Sequence, residues 1–160
     1  MSFSTSDLCD RFHSEHHLQI AEPVFRHFGG NRQFKGVIHT LKTFEDDSMI
    51  EGLLSSPNPG VLVIDGGGSH RSALVGKNLA QKAVDQGWSG LLIYGCVRDS
   101  AILETLPIGI MALHSHPMGA VRKGHGDPEQ LITFSGINFR SGHYLYADAD
   151  GIVVAEQSLD

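Results

Sequence analysis

Short apolar runs bounded by glycine dominate the middle of the chain. Val61 to Ile64 and Leu91 to Tyr94 each sit between glycines, the pattern of strands covered on both faces. Between them, Ser72 to Gln86 places Leu79 with Ala83 and Ala80 with Val84 at helical spacing, and Gly87 supplies a stop, which predicts a helix over this stretch. Strand, helix, strand in this order is a crossover unit, so the centre of the fold should hold parallel strands with helices packed on them.

The flanks read differently. Thr5-Ser6-Asp7 before Leu8, Cys9 and Phe12 predicts a capped opening helix, and Asp46-Asp47 before Met49, Ile50, Leu53 and Leu54 predicts a second. After Pro128 the apolar runs are short and close together: Leu131 to Phe134, Ile137 to Arg140, Tyr144 to Tyr146 and Ile152 to Val154, with glycine-containing turns between them. That is an antiparallel β region, and Val37 to Leu41 should join a sheet as well. The reading is α/β: a central mixed sheet, flanking helices and an antiparallel C-terminal β region. Pro117 to Pro128, rich in Gly, Arg, Lys and His, is the longest segment without a predicted element and a candidate functional loop.

Length and charge narrow this picture. A chain of 160 residues suits one domain spanning 1–160, since domains run to about 100–200 residues. Apolar residues are 41% and charged ones 19%, which excludes disorder, collagen and coiled coil. A formal charge of −6 argues against nucleic acid as a direct ligand. No apolar run approaches the roughly 20 residues of a membrane span, and Met1 to His17 lacks the apolar core of an export signal, so the chain is expected to start near Met1 and to have no membrane partner. Cys9 and Cys96 form no metal-type or disulfide framework, which suits a reducing cytoplasm.

Two segments could carry chemistry. Asp65-Gly66-Gly67-Gly68-Ser69 follows a buried strand and reads either as an anion-facing backbone loop or as a tight turn; it matches neither the dinucleotide nor the phosphate-loop spacing. Gly95-Cys96-Val97-Arg98-Asp99 ends the second buried strand, and ligands of open α/β sheets sit beyond such carboxyl ends. Arg98 offers a planar fork for a carboxylate or enolate, and Asp99 offers oxygen to a divalent cation. A keto acid held that way has its carbonyl polarised, and the charge of an enolate leaving group is stabilised as a carbon-carbon bond breaks. The other reading makes Asp99 the cap of a helix containing Ile102 and Leu103, with Arg98 paired to a surface carboxylate. His16-His17 and His114-x-His116 lack the convergent set that zinc needs, and Cys96 reads as packing.

Leu8-Cys9-Asp10, Phe28-Gly29-Gly30, Thr40-Leu41-Lys42, Phe44-Glu45-Asp46, Val63 to Ser69, Gly87-Trp88, Ile93 to Asp99 and Leu145 to Asp148 together resemble the family of the regulator of ribonuclease activity A and the class II 4-hydroxy-4-methyl-2-oxoglutarate aldolases, over essentially the whole chain. The resemblance implies a β/β/α swivelling-domain-like architecture and a ring-shaped homotrimer with sites near subunit boundaries. It also implies substrate binding by the segment Gly76, Lys77, Asn78 and Leu79, a catalytic and substrate-binding Arg98, and a divalent cation, commonly magnesium, on Asp99. Gly76 would interrupt the helical stretch, so that the next N–H groups form a helix start able to receive a carboxylate.

One position departs from that pattern. The aldolase branch has an Asp, twenty intervening residues and then Arg-Asp; Lys77 stands at the first of these places here. Two functions follow from the resemblance. The first is a metal-dependent lyase that splits 4-hydroxy-4-methyl-2-oxoglutarate into two pyruvates and decarboxylates oxaloacetate as a secondary activity. The second is a non-catalytic regulator that binds an RNA-degrading endonuclease through protein contact. Glu45, Asp46, Lys123 and Asp148 also fall in family-like segments, where capping and turn formation are sufficient explanations.

Overall fold

The computed structural model describes residues 2–15 and 18–160. In chain order the elements are α1 (Thr5–Phe12), β1 (Gln19–Ile20), β2 (Arg26–His27), β3 (Phe34–Lys42), α2 (Ser48–Leu54), β4 (Val61–Asp65), β5 (Ala73–Val75), α3 (Lys77–Asp85), β6 (Gly90–Val97), α4 (Ser100–Leu103), β7 (Gly109–Ser115), β8 (Asp127–Pro128), β9 (Ile132–Phe134), β10 (Ile137–Phe139), β11 (Tyr144–Ala147) and β12 (Ile152–Ala155). Most join one mixed sheet in the order β1-β12-β11-β3-β4-β6-β7-β2, with β5 beside β6, β8 beside β3, and β9-β10 as a separate hairpin.

Strand β3 joins the two halves. Its first part, Phe34 to Val37, pairs antiparallel with β11, and its second, Ile38 to Lys42, pairs parallel with β4. From there β4, β6 and β7 continue in parallel. Side chains alternate along β4: Leu62 and Ile64 enter a core beneath the helices with Ile50, Leu54 and Leu79, while Val61 and Val63 face a second core with Phe34, Phe139 and Leu145. Both faces are covered, which is why the strand reads as an unbroken apolar run.

Helix α1 opens where the Thr5-Ser6-Asp7 signal falls, with Ser4 as its cap: the Asp7 N–H donates to Ser4 Oγ at 3.3 Å. The Asp148 carboxylate ties the helix to the β11–β12 turn by accepting from Thr5 N–H at 2.8 Å and Thr5 Oγ1 at 2.6 Å. At α2, Asp47 holds the cap position, but it is the Asp46 side chain that accepts from the Ser48 N–H, at 2.9 Å. Helix α3 ends at Asp85, and Gly87 follows at φ +82, the left-handed conformation of a helix stop.

Two expectations need correction. The helix predicted from Ser72 begins only at Lys77, because Ala73 to Val75 form β5, a wholly buried strand parallel to β6. Three consecutive buried residues before a glycine are short enough to pair instead of coil. The segment Pro117 to Pro128 is also less irregular than its composition suggests. Gly119 bridges Ala73, Val121 bridges Asp46, and Asp127 and Pro128 form β8 against β3.

In α2, a Cβ built on Gly52 meets no atom within 4 Å. Gly52→Ala is therefore expected to raise stability by about 0.5–1 kcal/mol, measured by urea denaturation.

Candidate active site

The ends of β5 and β6 converge. Arg98 N–H donates to Val75 O at 2.9 Å, which fixes the residues after both strands side by side. The chain then passes through Gly76, extended at φ −128, into the first turn of α3. Lys77 N–H donates to Asp99 Oδ2 at 2.9 Å. Gly76, Lys77, Asn78, Leu79, Arg98 and Asp99, separated by about twenty residues in sequence, thus meet at one place.

Asp99 adopts neither simple alternative. Its backbone is left-handed, at φ +60, a conformation that Asp tolerates better than most residues. It occupies the cap position of α4, with its carbonyl accepting from Ile102 and Leu103 N–H, yet its side chain makes no capping bond to that helix. The carboxylate turns across to α3 instead. Oδ2 is taken by Lys77, and Oδ1 has no hydrogen-bond partner among the described residues. The exposed Arg98 guanidinium likewise makes no hydrogen bond or ion pair among those residues, so its donors remain available to a ligand. Arg98 and Asp99 line an open cleft of about 210 Å³ with Ser100, Ser115, His116 and Pro117, smaller than the ~300–1,000 Å³ of drug-sized sites and suited to a few-carbon acid.

The glycine at 76 is demanded by this pair. A Cβ there would lie 2.7 Å from Asp99 Oδ2 and 3.0 Å from Arg98 Cγ. In α3 the first intrahelical bond is Ala80 N–H to Gly76 O, so the N–H groups of Asn78 and Leu79 are orphan donors of the first turn. Leu79 contributes only its backbone, since its side chain is packed in the helix-side core. The Lys77 side chain is exposed.

The donor set fits a hard divalent cation. Magnesium is commonly held by one or two carboxylates, with water and substrate oxygens completing the shell, and Asp99, which lines the cleft, has one oxygen without a hydrogen-bond partner among the described residues. No three or more His, Cys, Asp or Glu side chains gather for a metal among the described residues. His16 and His17 lie outside those residues.

Other candidates resolve into structure. In the glycine run, Gly66 and Gly68 donate to Tyr94 O at 3.0 and 3.1 Å and Gly67 to Asp65 Oδ1 at 2.9 Å; with Gly67 and Gly68 at positive φ, it is a tight turn. Cys96 is packed in the interior, and burial raises its thiol pKa. Asp46 is 1% exposed. Its Oδ1 accepts from Ser48 N–H and Oγ, and Oδ2 accepts from Lys123 N–H at 2.9 Å and His125 N–H at 3.1 Å. Burial alone would raise its pKa; these four bonds outweigh it and hold the carboxyl far below the usual range. Asp46 therefore clasps the 119–126 loop to the start of α2, a role its position before an apolar run only half reveals.

The profile of the family described as Aldolase/RraA matches residues 5–154. The chain belongs to the RraA-like family. A Methylococcus capsulatus relative is 58% identical over 160 residues, covering 99% of each chain, and an Aromatoleum aromaticum relative is 49% identical with the same coverage; both bear the provisional name 4-hydroxy-4-methyl-2-oxoglutarate aldolase. Among solved structures, the RNA-processing inhibitor RraA from Thermus thermophilis superposes with a TM-score of 0.95 at 35% identity, covering 100% of this chain and 96% of that one. A Geobacillus kaustophilus structure, described as S-adenosylmethionine:2-dimethylmenaquinone methyltransferase, gives 0.95 at 44% identity, with coverage of 98% and 97%. These likenesses agree with the mixed α/β reading and with the resemblance drawn from the motifs.

Because the folded-state pKa of Asp46 is depressed, its contribution to stability is complete above its unfolded pKa of about 3.9 and is lost as pH falls further. Asp46→Asn is expected to lower stability at pH 7 by about 3 kcal/mol, since charged hydrogen bonds are worth roughly 1.5–3 kcal/mol each. The gap between wild type and variant should narrow below about pH 4, measured by denaturation at each pH.

Proposed function

We propose that the chain is a divalent-metal-dependent lyase that cleaves 4-hydroxy-4-methyl-2-oxoglutarate into two pyruvates and decarboxylates oxaloacetate as a secondary activity. The observation that carries this reading is the hydrogen bond that ties the α3 start to Asp99 beside a cleft lined by Arg98 and Asp99, in a chain whose relatives at 58% and 49% identity bear the aldolase name. Both reactions pass through the enolate of pyruvate, so one site serves both.

In this mechanism the substrate's keto-acid end lies across the cleft. Its carboxylate meets the orphan N–H groups of Asn78 and Leu79, where the helix dipole favours negative charge. Arg98 brings its unpaired fork to the oxygen that becomes the enolate, supplying charge where charge develops. Asp99 would hold the cation, which when bound polarises the carbonyl as a Lewis acid. As the C3–C4 bond of the substrate breaks, its electron pair passes into the enolate, the C4 hydroxyl gives its proton to water, and C3 later takes a proton back from water. Lys77 stands where the aldolase branch has an acid, and the backbone contacts of its segment do not depend on that side chain. A positioned acid or base typically contributes about 10² to 10⁴ in rate, so turnover below that of the aldolase branch is part of the proposal.

The second reading, a protein regulator of an RNA-degrading endonuclease, is favoured by the likeness to the RNA-processing inhibitor from Thermus thermophilis and by the replacement at Lys77. A charge of −6 suits contact with a basic partner. The methyltransferase name of the Geobacillus kaustophilus structure finds less support, since the glycine turn at Asp65 to Ser69 uses its amides internally. The proposal also includes assembly as a homotrimer in the cytoplasm. Phe44, Met118 and Val121, 58%, 67% and 49% exposed, border one cleft and provide apolar area for such an interface.

Purified protein with magnesium is expected to release pyruvate from both keto acids. Chelation should abolish release, and Asp99→Ala should reduce it about 10²-fold, as loss of one charge-stabilising group does. Release that ignores the chelator, or full activity in Asp99→Ala, refutes the metal role. Absence of turnover together with salt-sensitive capture of an RNA-degrading endonuclease would establish the second reading instead. Sedimentation is expected to give the mass of three chains; a monomer at every concentration refutes the assembly.

A further inference from the structure

Gly119 has no conformational reason to be glycine. Its φ lies outside the left-handed region, unlike Gly124 and Gly126 in the same segment, at +78 and +151. What requires it is its surroundings. A Cβ at 119 would lie 2.9 Å from both Cζ and Nη2 of Arg98 and 3.1 Å from Nη1, and these guanidinium atoms are its three nearest neighbours. The head of Arg98 therefore rests against bare backbone at this one residue.

That backbone is itself held at a fixed height. Ala73 N–H donates to Met118 O at 2.7 Å and Ala120 N–H to Ala73 O at 3.0 Å, which pins Gly119 to β5, the strand beside the one that ends at Arg98. Farther along, Val121 N–H donates to Glu45 O, and the Asp46 carboxylate holds Lys123 and His125. The guanidinium has no acceptor of its own among the described residues, and the backbone of Gly76 and Gly119 passes so close to it that a Cβ at either would crowd it.

We infer that Gly119 is a positioning residue for Arg98: the absent side chain at 119 leaves the space in which the guanidinium lies flat, and the clasped loop sets its approach to the substrate. This rests on the reading of Arg98 as the keto-acid anchor. A methyl group at 119 meets only the tip of a flexible side chain, so Gly119→Ala should fold while displacing the guanidinium.

The test compares wild type, Gly119→Ala, Arg98→Ala and the double variant, with Gly52→Ala as a control remote from the site. Melting is followed alongside the NMR signal of Arg98 Nε–H and the turnover of oxaloacetate with magnesium. Gly119→Ala is expected to melt close to wild type, to move the Nε–H signal and to lower kcat/KM about tenfold or more, the scale set by small misplacements in active sites. Adding it to Arg98→Ala should cause no further loss. An unmoved signal, a moved signal with unchanged turnover, or an equal loss in the Arg98→Ala background overturns the inference. So does a fall in melting temperature that Arg98→Ala fails to relieve, because the clash would then lie in the loop backbone. If the wild type turns over neither keto acid, the proposed function fails, and the Nε–H signal with the melting cycle still decides the positioning.

Discussion

Two hydrogen bonds that cross between β5 and β6 organise the candidate site. The first, from Arg98 N–H to Val75 O, continues the parallel ladder one residue past the strands. The second, from Lys77 N–H to Asp99 Oδ2, ends that ladder by substituting a side-chain acceptor for a backbone one. The chain can then turn in two directions at once, into α3 on one side and α4 on the other, while the residues at both turns stay in contact. The open ends of parallel strands are where α/β sheets place ligands, and here one residue serves both helix starts, with the Asp99 carbonyl accepting from α4 and its carboxylate from α3.

The same economy explains the electrostatics. A buried carboxylate is tolerable when its lone pairs are filled, and Asp46 fills them with four donors. Arg98 is the opposite case, an exposed cation without a partner among the described residues. Asp47 feels it only at a distance, as one of several charges around a carboxyl that burial raises first and Arg122 lowers next. For the proposed keto-acid site this matters, since no internal salt bridge would have to break for a ligand to reach the Arg98 guanidinium.

How much of this was legible in the sequence depends on the range of the interaction. The buried strands at Val61 and Leu91, the caps near Thr5 and Asp46, and the antiparallel runs after Pro128 are local patterns, and they reappear as elements. Strand β5 was hidden because Ala73 to Val75 satisfies a helical pattern as well as a strand one, and only pairing with β6 decides between them. Arg98 and Asp99 stood out by chemistry and by their place at a strand end. Asp46 showed only its cap. Its hold on Lys123 and His125 spans nearly eighty residues and leaves no periodic trace. Gly119 was one glycine among nineteen, and nothing in its neighbours distinguishes a glycine needed for a turn from one needed for what lies across from it.

The replacement at Lys77 separates two things that a motif joins. Lys77 carries a basic side chain where the resemblance implies an acid, while its backbone N–H caps onto Asp99 and opens α3. Substrate contacts made through main-chain N–H groups are indifferent to such a change; proton transfer is not. In the proposed mechanism the architecture of the site and its turnover therefore answer to different atoms. The first rests on Gly76 and a crossing hydrogen bond, and the second, in that mechanism, on the side chains of Arg98 and Asp99 as well as on position 77. In a family whose members carry both enzyme and regulator names, that separation would let one scaffold keep its shape while the chemistry at position 77 changes.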